Sequence, residues 1–222
     1  MVCEDIAAAA LLHRQILDME FLSRFGPGFM RTYYRAWLGA SDAIALVALD
    51  SREAVVGVLL GATDPTNHVR AMVRRDGVRL SVALATYALV HPSLARDLVV
   101  TRGWRYLRGV TRIVVARLRP RATTTSGAGP RVGEITHVLV GPEMQGLGVG
   151  RALLEAAIGE ARASRVAELV LVTPPDLAAR HFYERLGWRP EGAMQSRSSE
   201  EFLRFRYLVD DADPPDSTAS HE

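Results

Sequence analysis

The chain has 222 residues, 48% of them hydrophobic, which is enough for one domain with a sizeable core and includes no run near the roughly 18 apolar residues a membrane span needs. The formal charge is +2, and every one of the 27 basic residues is arginine, so no step here can use a lysine nucleophile or a phosphate-binding lysine. One cysteine, Cys3, excludes an internal disulfide and a multi-cysteine metal site, and no H-E-x-x-H pattern is present. Residues Met1 to Ala10 carry Glu4 and Asp5 and lack the basic-then-apolar order of a secretory signal, so a cytoplasmic location is expected.

In chain order, the pattern predicts a helix near Ala7 to Asp18 and a second near Phe29 to Leu38, after the breaker Gly26-Pro27-Gly28. Ala43 to Asp50 reads as a strand, Ser51-Arg52-Glu53 as a turn and Ala54 to Thr63 as the hairpin partner. Residues 65–121 form a basic helical insertion. Between Thr66 and Arg121, twelve arginines stand against Asp76 and Asp97, a local charge of +10. Two or three helices are expected there, broken near Gly77 and near His91-Pro92. Arg70, Arg74 and Arg75 recur at helical spacing, as do Arg105, Arg108 and Arg112. The plain reading is a helical pair covering a sheet, its arginines solvated. The sharper readings are an acceptor site for phosphorylated or carboxylated substrates and peripheral contact with an anionic membrane surface. No nucleic-acid partner is expected, because no base-stacking platform or recognition motif accompanies the charge.

Residues 122–133 are low in large apolar side chains and read as a flexible link. Glu134 to Val140 is a strand, Gly141 to Gly148 a loop, and Val149 to Ala163 a helix with Val149, Leu153, Leu154, Ala157, Ile158 and Ala161 on one face. Glu168 to Thr173 is a buried strand, Leu177 to Leu186 a short helix closed by Gly187, and Phe202 to Val209 a final strand. Strand, helix and strand in one unit imply a parallel pair with a crossover. Residues 210–222 are acidic and rich in Pro and Ser, a disordered tail by composition.

The most informative stretch is Gln145-Gly146-Leu147-Gly148-Val149-Gly150-Arg151, between a strand and a helix start. Its glycines permit a tight turn, and the amides of a helix N-terminus favour an anion, a diphosphate above all, with Arg151 as a cation beside it. A dinucleotide fingerprint would need glycine where Arg151 stands, and a nucleoside-triphosphatase loop would need lysine. The diphosphate arm of coenzyme A remains, with a ligand-free glycine turn as the plain alternative.

The spacing Gln145-x-x-Gly148-x-Gly150 resembles the Q/R-x-x-G-x-G/A signature of the GNAT acetyltransferase superfamily. Val138-Leu139-Val140-Gly141-Pro142-Glu143 resembles that family's fourth strand and its exit. Asp176 to Trp188 resembles N-x-x-A-x-x-F-Y-E-K-L-G-F, with Asp in place of the first asparagine. The resemblance is specific over Glu134 to Trp188, architectural over Ala7 to Asp64, and absent over Thr66 to Arg121. It implies an α/β GNAT fold: a mixed central sheet flanked by helices, as a single domain over residues 1–209. It implies acetyl-CoA as acyl-donor cosubstrate, no metal, and a chain that is a monomer or homodimer. Coenzyme contacts are implied for Val138, Leu139, Val140, Gln145, Gly146, Leu147, Gly148, Val149, Gly150 and Arg151, and as a lesser role for Asp176, which can also cap its helix. The amide of Leu139 or Val140 is implied to stabilise the thioester oxyanion.

Tyr183 matches the family's general acid. At the ordinary phenol value near ~10, against ~8.5 for a thiol, proton donation to the thiolate is close to balanced. Glu134, eleven residues before Gln145, matches the catalytic glutamate of histone-type members, and half-burial raises a carboxyl toward the range of a useful base. His137, three residues on, falls on the opposite face by strand alternation unless a bulge intervenes. It reads as structural, and His181 as solvent-facing. The acceptor is expected to be a small-molecule amine such as an amino sugar or nucleotide-linked amine. A protein lysine or N-terminus is the second reading, and a catalytically silent acyl-CoA-binding module the third.

Overall fold

A computed structural model describes residues 1–17, 23–91, 130–195 and 201–209. Its first layer is helical: α1 (Ile6–Ile16), α2 (Gly26–Leu38) and α3 (Pro65–Val90). Gly26-Pro27-Gly28 does not precede α2 but forms its first turn. Proline lacks an N–H that this turn could not have used in any case, so it starts a helix readily.

α3 runs unbroken through Gly77, where a break was expected. Its inner stripe, Met72, Leu80, Ala83, Leu84 and Tyr87, packs against the α1–α2 cluster, and that continuous apolar face outweighs the roughly 1 kcal/mol that a helical glycine costs. The helix ends ahead of His91-Pro92, as expected. It lies mainly on α2 rather than over the sheet. Its arginines are not all solvated either. The Arg75 guanidinium donates to the carbonyls of Ala36 (2.6 Å) and Gly39, which closes the C-terminus of α2, and pairs with buried Asp76 at 2.6 Å. Arg79 reaches the same carboxylate at 3.5 Å. The rest of the expected insertion, including Arg105, Arg108 and Arg112, lies outside the described residues, as do most of the link and the tail.

Among the described residues, six strands make one mixed sheet: β1 (Ala43–Leu49), β2 (Val55–Ala62), β3 (Val132–Val140), β4 (Glu168–Thr173), β5 (Arg189–Gln195) and β6 (Glu201–Leu208), in the order β1-β2-β3-β4-β6-β5. The β1–β2 hairpin and the parallel β3–β4 pair match the sequence reading. β5 had no sequence signal. It is an exposed edge strand containing Pro190 and Gly192, without apolar alternation. Between β3 and β4 runs α4 (Val149–Ala163), and α5 (Leu177–Arg185) follows β4. The Gly187 and Trp188 amides close α5 by bonding the carbonyls of Glu184 and Tyr183.

The sheet separates two apolar clusters. Leu153, Leu154, Ala157, Ile158 and Ala161 of α4 fill one with Leu169, Leu171, Phe205, Trp188 and Ile135. Phe25, Phe29, Met30, Tyr34 and Trp37 fill the other with Val58, Leu60 and Leu139. Each fully buried large side chain contributes roughly 1.5–3 kcal/mol. Among the described residues, no helix is long and apolar enough to cross a membrane.

Candidate active site

β3 and β4 pair in parallel over Val132–Ile135 and Glu168–Leu171, and then part. β3 continues to Val140 against β2 alone, while Val172 and Thr173 continue against β6. The result is an opening in the middle of the sheet. The Gly141 amide donates to the Val56 carbonyl at 2.9 Å. Alternation along β3 therefore turns the Leu139 amide toward β2, and the amides of Val138 and Val140 toward the opening. Of the two amides expected at a thioester oxygen, Val140 faces the opening and Leu139 does not.

A bulge sits on this strand. Leu60 pairs with His137 and Gly61 with Ile135, which leaves Thr136 as the extra residue. Gly61 permits the close approach, since a Cβ there would lie 2.7 Å from the Glu134 carbonyl oxygen. The bulge reverses the alternation. Ile135 points into the α4 cluster, whereas His137 and Leu139 point toward α1 and α2. Glu134 and His137 thus share a face, contrary to plain alternation. Burial pushes the Glu134 carboxyl up, and Arg204 and His137 pull it part of the way back. Behind His137 lies His13 of α1, with ring centroids 4.7 Å apart, and the His13 Nδ1 is 2.9 Å from the Tyr34 hydroxyl of α2. His13, Tyr34 and Arg204 escaped the sequence reading. They come from distant segments and carry no local motif.

The glycine loop lies at the start of α4. Gly146 and Gly148 adopt φ of +75° and +85°, and a Cβ at either would meet nothing within 4 Å. The loop therefore needs glycine for its turn and leaves open space beside it. The first helical bond runs from the Ala152 amide to the Gly148 carbonyl, so the amides of Val149, Gly150 and Arg151 have no partner within the helix. A diphosphate suits that set of donors. Gln145 Nε2 donates to the Val140 carbonyl at 3.3 Å, which ties the loop to the end of β3. Leu147 is exposed at the loop tip. Arg151 differs from expectation: its Nε bonds Glu155 at 2.7 Å, one turn down the helix and away from the loop.

α5 meets this loop through Phe182, whose ring would lie 3.3 Å from a Cβ on Gly150. The next residue, Tyr183, is buried among Phe182, Trp188 and Phe205, with ring centroids 5.1, 6.1 and 5.5 Å away. Burial pushes its phenol up to about 12. Full proton transfer to a thiolate near ~8.5 is then uphill by roughly three units rather than close to balanced. Asp176 caps α5, accepting from the Ala178 amide at 3.0 Å. His181 is exposed and lies 3.7 Å from Glu184. Among the described residues, no group of three or more His, Cys, Asp or Glu side chains could hold a metal ion.

The α/β domain thus sets an opening between parting parallel strands beside a helix start with free amides. A model of the acetyltransferase (GNAT) family matches residues 108–188, which include β3, the loop, α4, β4 and α5. Over that stretch the chain is similar to GNAT-family acetyltransferases. Curated proteins yield no match. Solved structures do. A GNAT-family acetyltransferase from Streptococcus pneumoniae aligns at 17% identity and a TM-score of 0.53, over 94% of this chain and 95% of the other. The ribosomal-protein-S18-alanine N-acetyltransferase from Escherichia coli aligns at 13% and 0.52, over 94% and 90%. A further structure described as an acetyltransferase reaches 21% and 0.56, over 94% and 96%. At these identities the likeness is one of fold.

Proposed function

We propose that the chain moves an acetyl group from acetyl-CoA to a primary amine that arrives over the Glu134 face of the sheet. The observation that carries this is the opening between β3 and β4. It exposes two main-chain amides to a thioester, the glycine loop lies at its end, and Glu134 stands on the face away from α4. In this reading the amides of the loop and of the first turn of α4 hold the diphosphate, and the edge of β3 holds the pantetheine arm. The Val140 amide stabilises the oxyanion, and Glu134 takes the amine proton. Tyr183 offers the leaving sulfur a hydrogen bond rather than a whole proton.

A small-molecule amine fits this scheme, but one observation favours a peptide or protein amine. Among the described residues, the α1–α3 cluster includes nothing from β4, β5 or β6, and on that open half Val172 and Met194 are each 44% exposed. Apolar exposure beside an opening suits a chain laid across it better than a small polar amine.

The test is thiol release from acetyl-CoA against a panel of amino sugars, polyamines, peptide N-termini and lysine peptides. Glu134→Gln should lower kcat/KM by roughly 10²–10⁴. Tyr183→Phe should lower kcat with acetyl-CoA affinity unchanged. A wild-type protein that binds acetyl-CoA and acetylates no amine would refute the proposal.

A further inference from the structure

The acyl-transfer scheme leaves a line of buried polar side chains without a task. His137, His13 and Tyr34 run from Glu134 into the α1–α2 layer, with exposures of 8%, 0% and 0%. The same layer holds the apolar cluster that includes Leu12, Phe29, Met30 and Leu139. Two imidazoles and a phenol in such surroundings cost folding energy that aliphatic side chains would not. The bulge at Thr136 is what turns His137 toward this line, and the same bulge puts it on the face of the sheet that carries Glu134. His13 is fixed from behind by the Tyr34 hydroxyl at 2.9 Å, and its ring in turn braces His137. A base, a partner beside it and a third group that orients the partner form a recurrent arrangement in proton-transfer sites.

We propose that His137, braced by His13 and Tyr34, works through Glu134 as the residue that holds the acceptor's proton during transfer. This rests on the acetyl-transfer reading above. An N–H bond of the ammonium breaks as an O–H bond forms on Glu134. That proton passes to an imidazole nitrogen of His137, which restores the carboxylate. The amine lone pair forms the C–N bond, the C–S bond breaks, and the second nitrogen proton leaves with the thiolate to give free thiol. His137 then releases its proton to solvent, so one ammonium and one thioester yield one amide, one thiol and one proton.

The charged and titratable groups around Glu134 set the expected pH behaviour. His137 lies on the same strand and Arg204 on β6, with His13 of α1 and Tyr34 of α2 behind them. Arg204 is itself held by Glu191 at 2.8 Å. Loss of His137 removes one of the two groups that lower the carboxyl and the acceptor of its proton, so the carboxyl stays protonated to higher pH.

The test uses the full chain and its best amine. His137→Gln should leave acetyl-CoA affinity within about twofold by calorimetry, lower kcat/KM roughly ten- to a hundredfold, and move the acid limb of the kcat/KM profile to higher pH. His13→Gln and Tyr34→Phe should move the limb the same way by less. A folded His137→Gln protein whose acid limb stays in place overturns the proposal and leaves a structural histidine. Should that variant not fold, Tyr34→Phe, which deletes one oxygen, carries the same test. Absence of amine transfer in the wild type would refute the acetyl-transfer reading itself, whereas intact transfer with an unmoved limb would refute the role of His137 alone.

Discussion

The two sides of the sheet are built by different rules. On the α4–α5 side the cluster is aliphatic and aromatic, and the features proposed to bind the donor are main-chain amides. On the α1–α3 side His13, His68, His137 and Asp76 are all buried. A donor that never varies can be held by backbone shape, which tolerates changes of side chain. The side proposed for the acceptor depends on particular side chains drawn from four separate segments. The contrast suggests that substitutions on the first side act through shape, and on the second through charge and protonation.

The largest expected effect tests the first half of that contrast. Gly148→Val places a β-branched residue at φ +85°, a region that such residues enter only under strain. A Cβ there meets nothing within 4 Å, so the domain should still fold, while the loop should lose its shape. Acetyl-CoA affinity should fall about a hundredfold, or roughly 2.8 kcal/mol, as read by calorimetry. Gly148→Ala should fall between the two. Unchanged affinity in a folded Gly148→Val protein would mean that the diphosphate sits elsewhere.

The same contrast explains what could be read from the sequence. From Glu134 to Trp188 the chain order of strand, loop, helix, strand and helix emerged nearly to the residue. Each boundary there is written locally: Gly148 at the start of α4, Asp176 as the cap of α5, Gly187 just past its end. Periodicity could not reveal the bulge at Thr136, because a bulge depends on how the partner strand pairs. It could not reveal Arg204 beside Glu134, or His13 behind His137, because those contacts span dozens of residues of chain. β5 was missed because an exposed edge strand with Pro190 and Gly192 has no inward face to alternate. Gly77 misled in the other direction: one permissive residue inside a long apolar stripe does not end a helix.

A smaller effect tests the second half, that the α1–α3 side responds to protons. His68 is 1% exposed, and its ring lies against Trp37 with centroids 4.4 Å apart. Desolvation lowers its value below that of a free histidine, Asp42 works against that shift, and Arg75 adds to it. The folded state therefore refuses a proton that the unfolded chain accepts below about pH 6.5. Its contribution to stability is present above that pH and is lost as pH falls toward the folded-state value, at up to about 1.4 kcal/mol per pH unit. Glu134, raised by burial, acts in the opposite sense over acid pH. The readable quantity is thus the difference between wild type and His68→Leu in urea unfolding from pH 7 to 5. His68→Leu should flatten the loss of stability; parallel curves would show that His68 is not the group responsible.

The smallest effect separates two roles for one carboxylate. Asp176 caps α5 through the Ala178 amide at 3.0 Å, and the family resemblance also allows it a coenzyme contact. Asp176→Ala should cost about 1 kcal/mol of stability, the usual worth of an N-cap, and Asp176→Asn much less, since an amide oxygen accepts the same bond. α5 carries Phe182 against Gly150, so fraying of its first turn could reach the loop indirectly. The two variants resolve this. If capping is the whole role, Asp176→Asn keeps both stability and acetyl-CoA affinity, and Asp176→Ala loses stability with affinity within about twofold. If the side chain also touches the coenzyme, affinity follows the charge: Asp176→Asn shifts it while the melting curve stays in place. The donor side would then hold one side-chain determinant, and its dependence on main-chain shape would end at the first turn of α5.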